Sequence, residues 1–136
     1  MIKRELQTTI ENFLNINKGI VIYGARQVGK TTLATEIAKK YAKPLYLSCD
    51  NPTNVTLFSD ASLEKLVSIT RGYDCLVLDE AQKIANIGNV GKMIIDNALV
   101  KQLVMTGSSS LDLANTVKEP MTGRIFEFRL HPISYP

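Results

Sequence analysis

The chain has 136 residues, the size of one domain, and at 45% hydrophobic and 21% charged it has an ordinary soluble globular composition. Sixteen basic against thirteen acidic residues leave a formal charge of +3, too small an excess to argue for nucleic-acid binding by itself. Its apolar runs fall far short of the roughly 20 residues of a membrane span, and no apolar run follows Met1-Ile2-Lys3-Arg4-Glu5 to make a secretory signal. Cys49, Cys75 and His131 are too few for a disulfide scaffold or a zinc cage, and the expected setting is the cytoplasm, away from any membrane.

In chain order, apolar residues at Leu6, Ile10, Phe13 and Leu14 predict a helix within Ile2 to Ile16. Gly19 to Tyr23 reads as a buried strand. Lys30 to Tyr41 follows as a helix with Leu33, Ala34, Ile37, Ala38 and Tyr41 on one face. Leu45 to Cys49 is a second strand with Pro44 at its edge, and Ser62 to Thr70 is a helix closed by Gly72. Cys75 to Leu78 is wholly apolar, as a strand covered on both faces is. A weaker helical pattern spans Val90 to Leu99, before a fourth strand at Gln102 to Met105. In the fifth, Ile125 and Glu127 alternate with Phe126 and Phe128, which suits a half-solvated edge. Strands alternating with helices predict an α/β domain with a parallel sheet. The sequence stops at Pro136, just after the fifth strand, so a single domain over 1–136 is expected to be the N-terminal part of a longer protein.

Gly24-Ala25-Arg26-Gln27-Val28-Gly29-Lys30-Thr31 fits G-x-x-x-x-G-K-[ST] at every fixed position, between a strand and a helix. In such a loop the glycines permit unusual backbone angles and close approach, and the amides converge on phosphate oxygens. Lys30, expected as an exposed group, reaches the phosphates, and Thr31 ligates Mg²⁺. Thr32, Arg26 and Gln27 join the candidate binding residues; the last two point to phosphate or to solvent. Leu76 to Glu80 is an apolar strand ending in two carboxylates. Asp79 is the expected partner of Mg²⁺ and Glu80 the base that polarises an attacking water. Thr106-Gly107-Ser108-Ser109-Ser110 offers a hydroxyl for that water or a γ-phosphate oxygen, with Ser108 the candidate, or else a turn that caps the next helix. Arg124 is a candidate charge-stabilising arginine, in cis or toward a neighbouring subunit. Gln82 either contacts the γ-phosphate or caps the loop. No Asn-Lys-x-Asp guanine-reading motif occurs, which favours ATP.

Together the P-loop, Leu78-Asp79-Glu80-Ala81-Gln82, Thr106-Gly107-Ser108-Ser109, Thr122-Gly123-Arg124 and the closing Phe128-Arg129-Leu130-His131-Pro132-Ile133-Ser134-Tyr135 resemble the AAA-like domain of a large group of prokaryotic, often archaeal, P-loop ATPases. The resemblance runs from Arg4 to Tyr135. It implies a three-layer αβα P-loop NTPase core, strand order 5-1-4-3-2, with the inserted fourth strand carrying the sensor residue. It also implies a nuclease-like C-terminal domain as the missing partner. Expected ligands are ATP and Mg²⁺; a homo-oligomer and nucleic acid stay open as partners. The expected activity is ATP hydrolysis coupled to a conformational change. A nucleotide-dependent switch with little turnover is the alternative, and a helicase-like motor a third. Asp-Glu-Ala-Gln also occurs in first-superfamily DNA helicases, but their next motif is Gly-Asp-x-x-Gln, where this chain has Thr106-Gly107-Ser108-Ser109.

Overall fold

The computed structural model describes residues 2–25, 29–108 and 120–130. Five strands, β1 (Gly19–Tyr23), β2 (Pro44–Ser48), β3 (Cys75–Asp79), β4 (Gln102–Gly107) and β5 (Ile125–Arg129), form one sheet in the order β2-β3-β4-β1-β5, the expected order. Every pairing is parallel. The three central strands are buried along their whole length, whereas β2 and β5 are half-exposed edges. Pro44 costs no ladder bond at such an edge, where one row of N–H groups has no neighbour.

Among the described residues five α-helices cover the faces: α1 (Ile2–Glu11), α2 (Lys30–Ala38), α3 (Pro52–Phe58), α4 (Leu63–Thr70) and α5 (Ile87–Asp96). On one face Ile10 of α1 and Leu33, Ala34 and Ile37 of α2 pack on Ile20, Ile22, Val77 and Val104. On the other, Phe58, Leu66, Ile87, Val90 and Ile94 pack on Val21, Leu76, Leu78, Leu103 and Met105. The alternation of side chains along each strand thus feeds two cores, which makes the domain three-layered.

Helix ends depart from the expected ones for local reasons. The first helix stops at Glu11, after which the Asn12 and Phe13 N–H groups donate to carbonyls three residues back, at 3.1 and 2.8 Å, and Asn15 and Asn17 take left-handed angles through which no helix resumes. The second ends at Ala38, leaving Tyr41 beyond it but still packed on the same core. Ser62 caps α4 by accepting from the Lys65 N–H at 3.2 Å. Helix α5 begins at Ile87, three residues before Val90, and contains Gly88 and Gly91, whose low helix propensity weakens its pattern. A Cβ on Gly91 would lie 2.7 Å from Cε of buried Met121, so the glycine admits close packing there. Helix α3 is unannounced in the sequence analysis.

Pro44 faces Cys75 in the register and Ser48 faces Asp79, so Cys49 and Cys75 lie at opposite ends of their strands. They also belong to opposite cores. Both are free thiols, and burial, with nearby carboxylates adding to it, pushes each up to about 12. No helix among the described residues is long and apolar enough to cross a membrane.

Candidate functional site

In a parallel sheet every strand delivers its last residues to the same edge. The loop after β1, Asp79 and Glu80 after β3, and Thr106 of β4 therefore meet at the C-terminal edge, with β4 inserted between β1 and β3. Gly24 is tied to this edge by its N–H, which donates to the Gly107 carbonyl at 3.1 Å. Ala25 is exposed beside it. Gly29, the cap of α2, has φ 82° and ψ 23°, the left-handed region in which a side chain is strained. The backbone turns there into the helix and aims Lys30 inward. Arg26, Gln27, Val28, Ser109 and Ser110 lie outside the described residues.

Lys30 is buried, not exposed as expected from the sequence. Its Nζ lies 2.7 Å from Glu80 Oε2, and both side chains are almost fully covered. Water therefore has little access to the pair. Glu80 itself has φ 60° and ψ 48°, uncommon for a residue with a side chain. This sharp turn off β3 swings its carboxylate toward Lys30, while Asp79 stays on the strand's own face. The other Glu80 oxygen, Oε1, accepts from Gln82 Nε2 at 2.8 Å and from the Ser108 N–H at 3.1 Å. Burial works to raise the Glu80 pKa, but hydrogen bonds from Gln82, Lys30 and Ser108, with the Lys30 charge, outweigh it and hold the group down to about 2. Gln82 Nε2 also lies 3.3 Å from Ser108 Oγ, while its own buried Oε1 has no partner among the described residues.

Asp79, 5% exposed, accepts three hydroxyls. Thr31 Oγ1 donates to Oδ2 at 2.9 Å, Tyr46 Oη donates to the same oxygen at 2.6 Å, and Thr106 Oγ1 donates to Oδ1. Thr106 Oγ1 in turn accepts from the Glu80 N–H at 3.1 Å, which locks the end of β4 to the turn after β3. Among the described residues Asp79 makes no ion pair. A covered carboxylate ringed by hydroxyl oxygens, with no cation of its own, is a hard oxygen donor set that fits Mg²⁺. The orphaned Gln82 carbonyl beside it fits a water or ligand donor.

The structure thus brings together Lys30, Thr31, Asp79, Glu80 and Ser108. Thr32 is exposed on α2, and no hydrogen bond joins it to this cluster among the described residues. Of the two alternatives for Arg124, the one within the chain is not met, because Arg124 lies at the other edge of the sheet. It immediately precedes Ile125, which pairs with Gly19 at the start of β1, while the P-loop leaves the strand after Tyr23. Four residues at ~3.3 Å each separate the two edges by ~13 Å. At that far edge its guanidinium grips Asp96 at the end of α5 through two bonds of 2.7 and 3.2 Å. The Thr106 hydroxyl, not that of Ser108, is turned to the buried acidic pair. Tyr46 was missed altogether. Its signal was parity: Tyr46 pairs with Val77, so it shares a face with Asp79 two residues on.

The family model for the AAA domain matches residues 16–136. The chain belongs to the AAA domain family. It is 28% identical over 130 residues to an uncharacterized protein of Methanocaldococcus jannaschii, covering 93% of this chain and 29% of that protein. The AAA domain here therefore spans less than a third of that relative's length. Its fold is similar to a Walker-type ATPase of Pyrococcus abyssi, with TM-score 0.59, 15% identity, and 97% and 53% of the two chains covered. It is also similar to the Aeropyrum pernix ORC1 protein solved in complex with DNA, with TM-score 0.59, 20% identity, and 97% and 44% covered.

Proposed function

We propose that this AAA domain binds Mg-ATP at the C-terminal edge of its sheet and hydrolyses it. The observation that carries the reading is the junction of two pairs distant in sequence, Lys30 with Glu80 and Thr31 with Asp79. Both halves of an ATPase site, phosphate-binding and acidic, are then within hydrogen-bonding reach of each other.

Thr31 and Asp79 would hold Mg²⁺, which supplies charge neutralisation at the β- and γ-phosphate oxygens. The start of α2 would face the phosphates. Lys30 exchanges its Glu80 partner for phosphate oxygens, one strong charge-assisted contact replacing another. Glu80 keeps its Gln82 bond but then loses the hydrogen bond and charge of Lys30, which also hold its proton affinity down. It becomes a better acceptor for the proton of an attacking water, while Gln82 and the Ser108 N–H keep Oε1 fixed. The buried pair thus describes a resting site whose base is disarmed until nucleotide arrives. Hydrolysis is coupled to a further part of the protein outside this chain, a reading supported by the much greater length of the relative from Methanocaldococcus jannaschii. We place the protein in the cytoplasm and its Arg124 at the service of a neighbouring subunit's site.

Thermal melts with and without Mg-ATP test this. A ligand bound only by the native state stabilises by RT ln(1 + [L]/Kd), about 2.7 kcal/mol at a hundredfold excess over Kd. The wild type is expected to shift accordingly. Lys30→Met, which keeps most of the volume but leaves Glu80 buried without its cation, is expected to melt lower and to show no shift. A full shift in Lys30→Met contradicts the assignment.

A further inference from the structure

The metal half of the proposed site holds two groups that neither the P-loop nor the acidic turn contains, Thr106 of β4 and Tyr46 of β2, and only Tyr46 shares an Asp79 oxygen with Thr31. Tyr46 projects from the edge strand β2, and its hydroxyl donates to Asp79 Oδ2 at 2.6 Å, the same oxygen that Thr31 approaches at 2.9 Å. Asp79 ends its strand, so beyond it no ladder fixes the carboxylate. Tyr46, by contrast, lies within the paired region, opposite Val77, and its rigid ring carries the hydroxyl diagonally to Asp79 on the same sheet face. The residue is 40% exposed, yet its hydroxyl is committed to a nearly buried carboxylate.

We propose that Tyr46 is a positioning residue, which orients the Asp79 carboxylate for the Mg²⁺ that accompanies ATP. The inference rests on the ATPase reading above and adds to it a residue outside the motifs. Groups that hydrogen-bond a metal-ligating side chain fix its orientation, and their removal typically lowers metal affinity 10–100-fold. Tyr46→Phe removes that hydrogen bond and keeps the ring, so packing of β2 is preserved.

Calorimetric titration of ATP, first in EDTA and then across a series of Mg²⁺ concentrations, separates the possibilities. Tyr46→Phe is expected to bind metal-free ATP as the wild type does and to need about tenfold more Mg²⁺ to reach half of the metal-dependent gain in affinity. Asp79→Asn is the reference and is expected to need still more. If Asp79→Asn raises the Mg²⁺ requirement and Tyr46→Phe does not, Tyr46 has no positioning role and the ATPase reading stands. Equal weakening of ATP binding in EDTA and in Mg²⁺ also overturns the proposal, since a metal-positioning residue acts only when metal is present. If even Asp79→Asn leaves the Mg²⁺ requirement unchanged, the metal assignment falls and this inference with it.

Discussion

A buried lysine–glutamate pair is costly to form and more costly to break from one side, because the survivor keeps its charge without solvent. Removing one partner of such a pair typically costs about 3–5 kcal/mol. Lys30 and Glu80 accept that risk at the place where a triphosphate would supply a replacement partner. The pair also gives the domain an acid limit. With its folded-state pKa depressed from the ordinary 4.5 to about 2, Glu80 contributes stability that is complete above the usual carboxylate range. That contribution, about 3 kcal/mol, is lost as pH falls from about 4.5 through about 2. Urea melts from pH 6 to pH 2 are expected to show this acid loss in the wild type and a correspondingly smaller one in Glu80→Gln; parallel curves would contradict it. Which residues meet was largely legible in the sequence, because G-x-x-x-x-G-K-[ST] and an apolar strand ending in Asp-Glu are local patterns. How they meet was not. The burial of Lys30 depends on the left-handed turn at Glu80, and the Tyr46 contact depends on the register of β2 against β3, and neither is a property of neighbours in sequence.

Secondary elements follow the same division. The strands were legible as apolar or alternating runs, α2 as a one-faced apolar pattern starting at Lys30, and α4 as a stretch from Ser62 closed by Gly72. Helix α5 was only partly so, since its two glycines lower the propensity on which recognition rests, although Gly91 admits the close approach of Met121. Helix α3 was missed although its start is written plainly. Asn51 accepts from the Thr53 N–H at 3.0 Å as the cap, and Pro52 follows at the first helical position, where its missing N–H costs nothing. Seven residues are too few to display a stripe, so only the capping chemistry announces it. Asn51→Ala is expected to lower stability by about 1 kcal/mol, read from the denaturation midpoint. An unchanged midpoint would mean that packing of Phe58 alone holds the helix.

At the scale of the whole molecule, the order β2-β3-β4-β1-β5 does the decisive work. It places β4 between the P-loop strand and the acidic strand, so Thr106 becomes the hydroxyl that ties the two carboxylates together. It also sends the start of β5, and Arg124 with it, to the edge away from Gly24, Asp79 and Glu80. That placement was hidden in the sequence because an arginine beside a glycine carries no label of which sheet edge it occupies. Only the direction and pairing of β5 decide it. Within one chain the proposed site therefore has its phosphate, metal and base groups without Arg124, which is why we look for the effect of Arg124 between subunits.

The central claim is that Lys30 exchanges Glu80 for nucleotide and that Glu80 then serves the water. Glu80→Gln tests it most directly, with ATP affinity and steady-state hydrolysis measured on the same preparation. The amide leaves Lys30 buried without its counter-ion, so phosphate becomes the better partner. ATP is expected to bind at least as tightly as to the wild type, while hydrolysis falls about 10²–10⁴-fold with the loss of the proton acceptor. Weaker ATP binding, or hydrolysis as fast as the wild type's, would contradict the account.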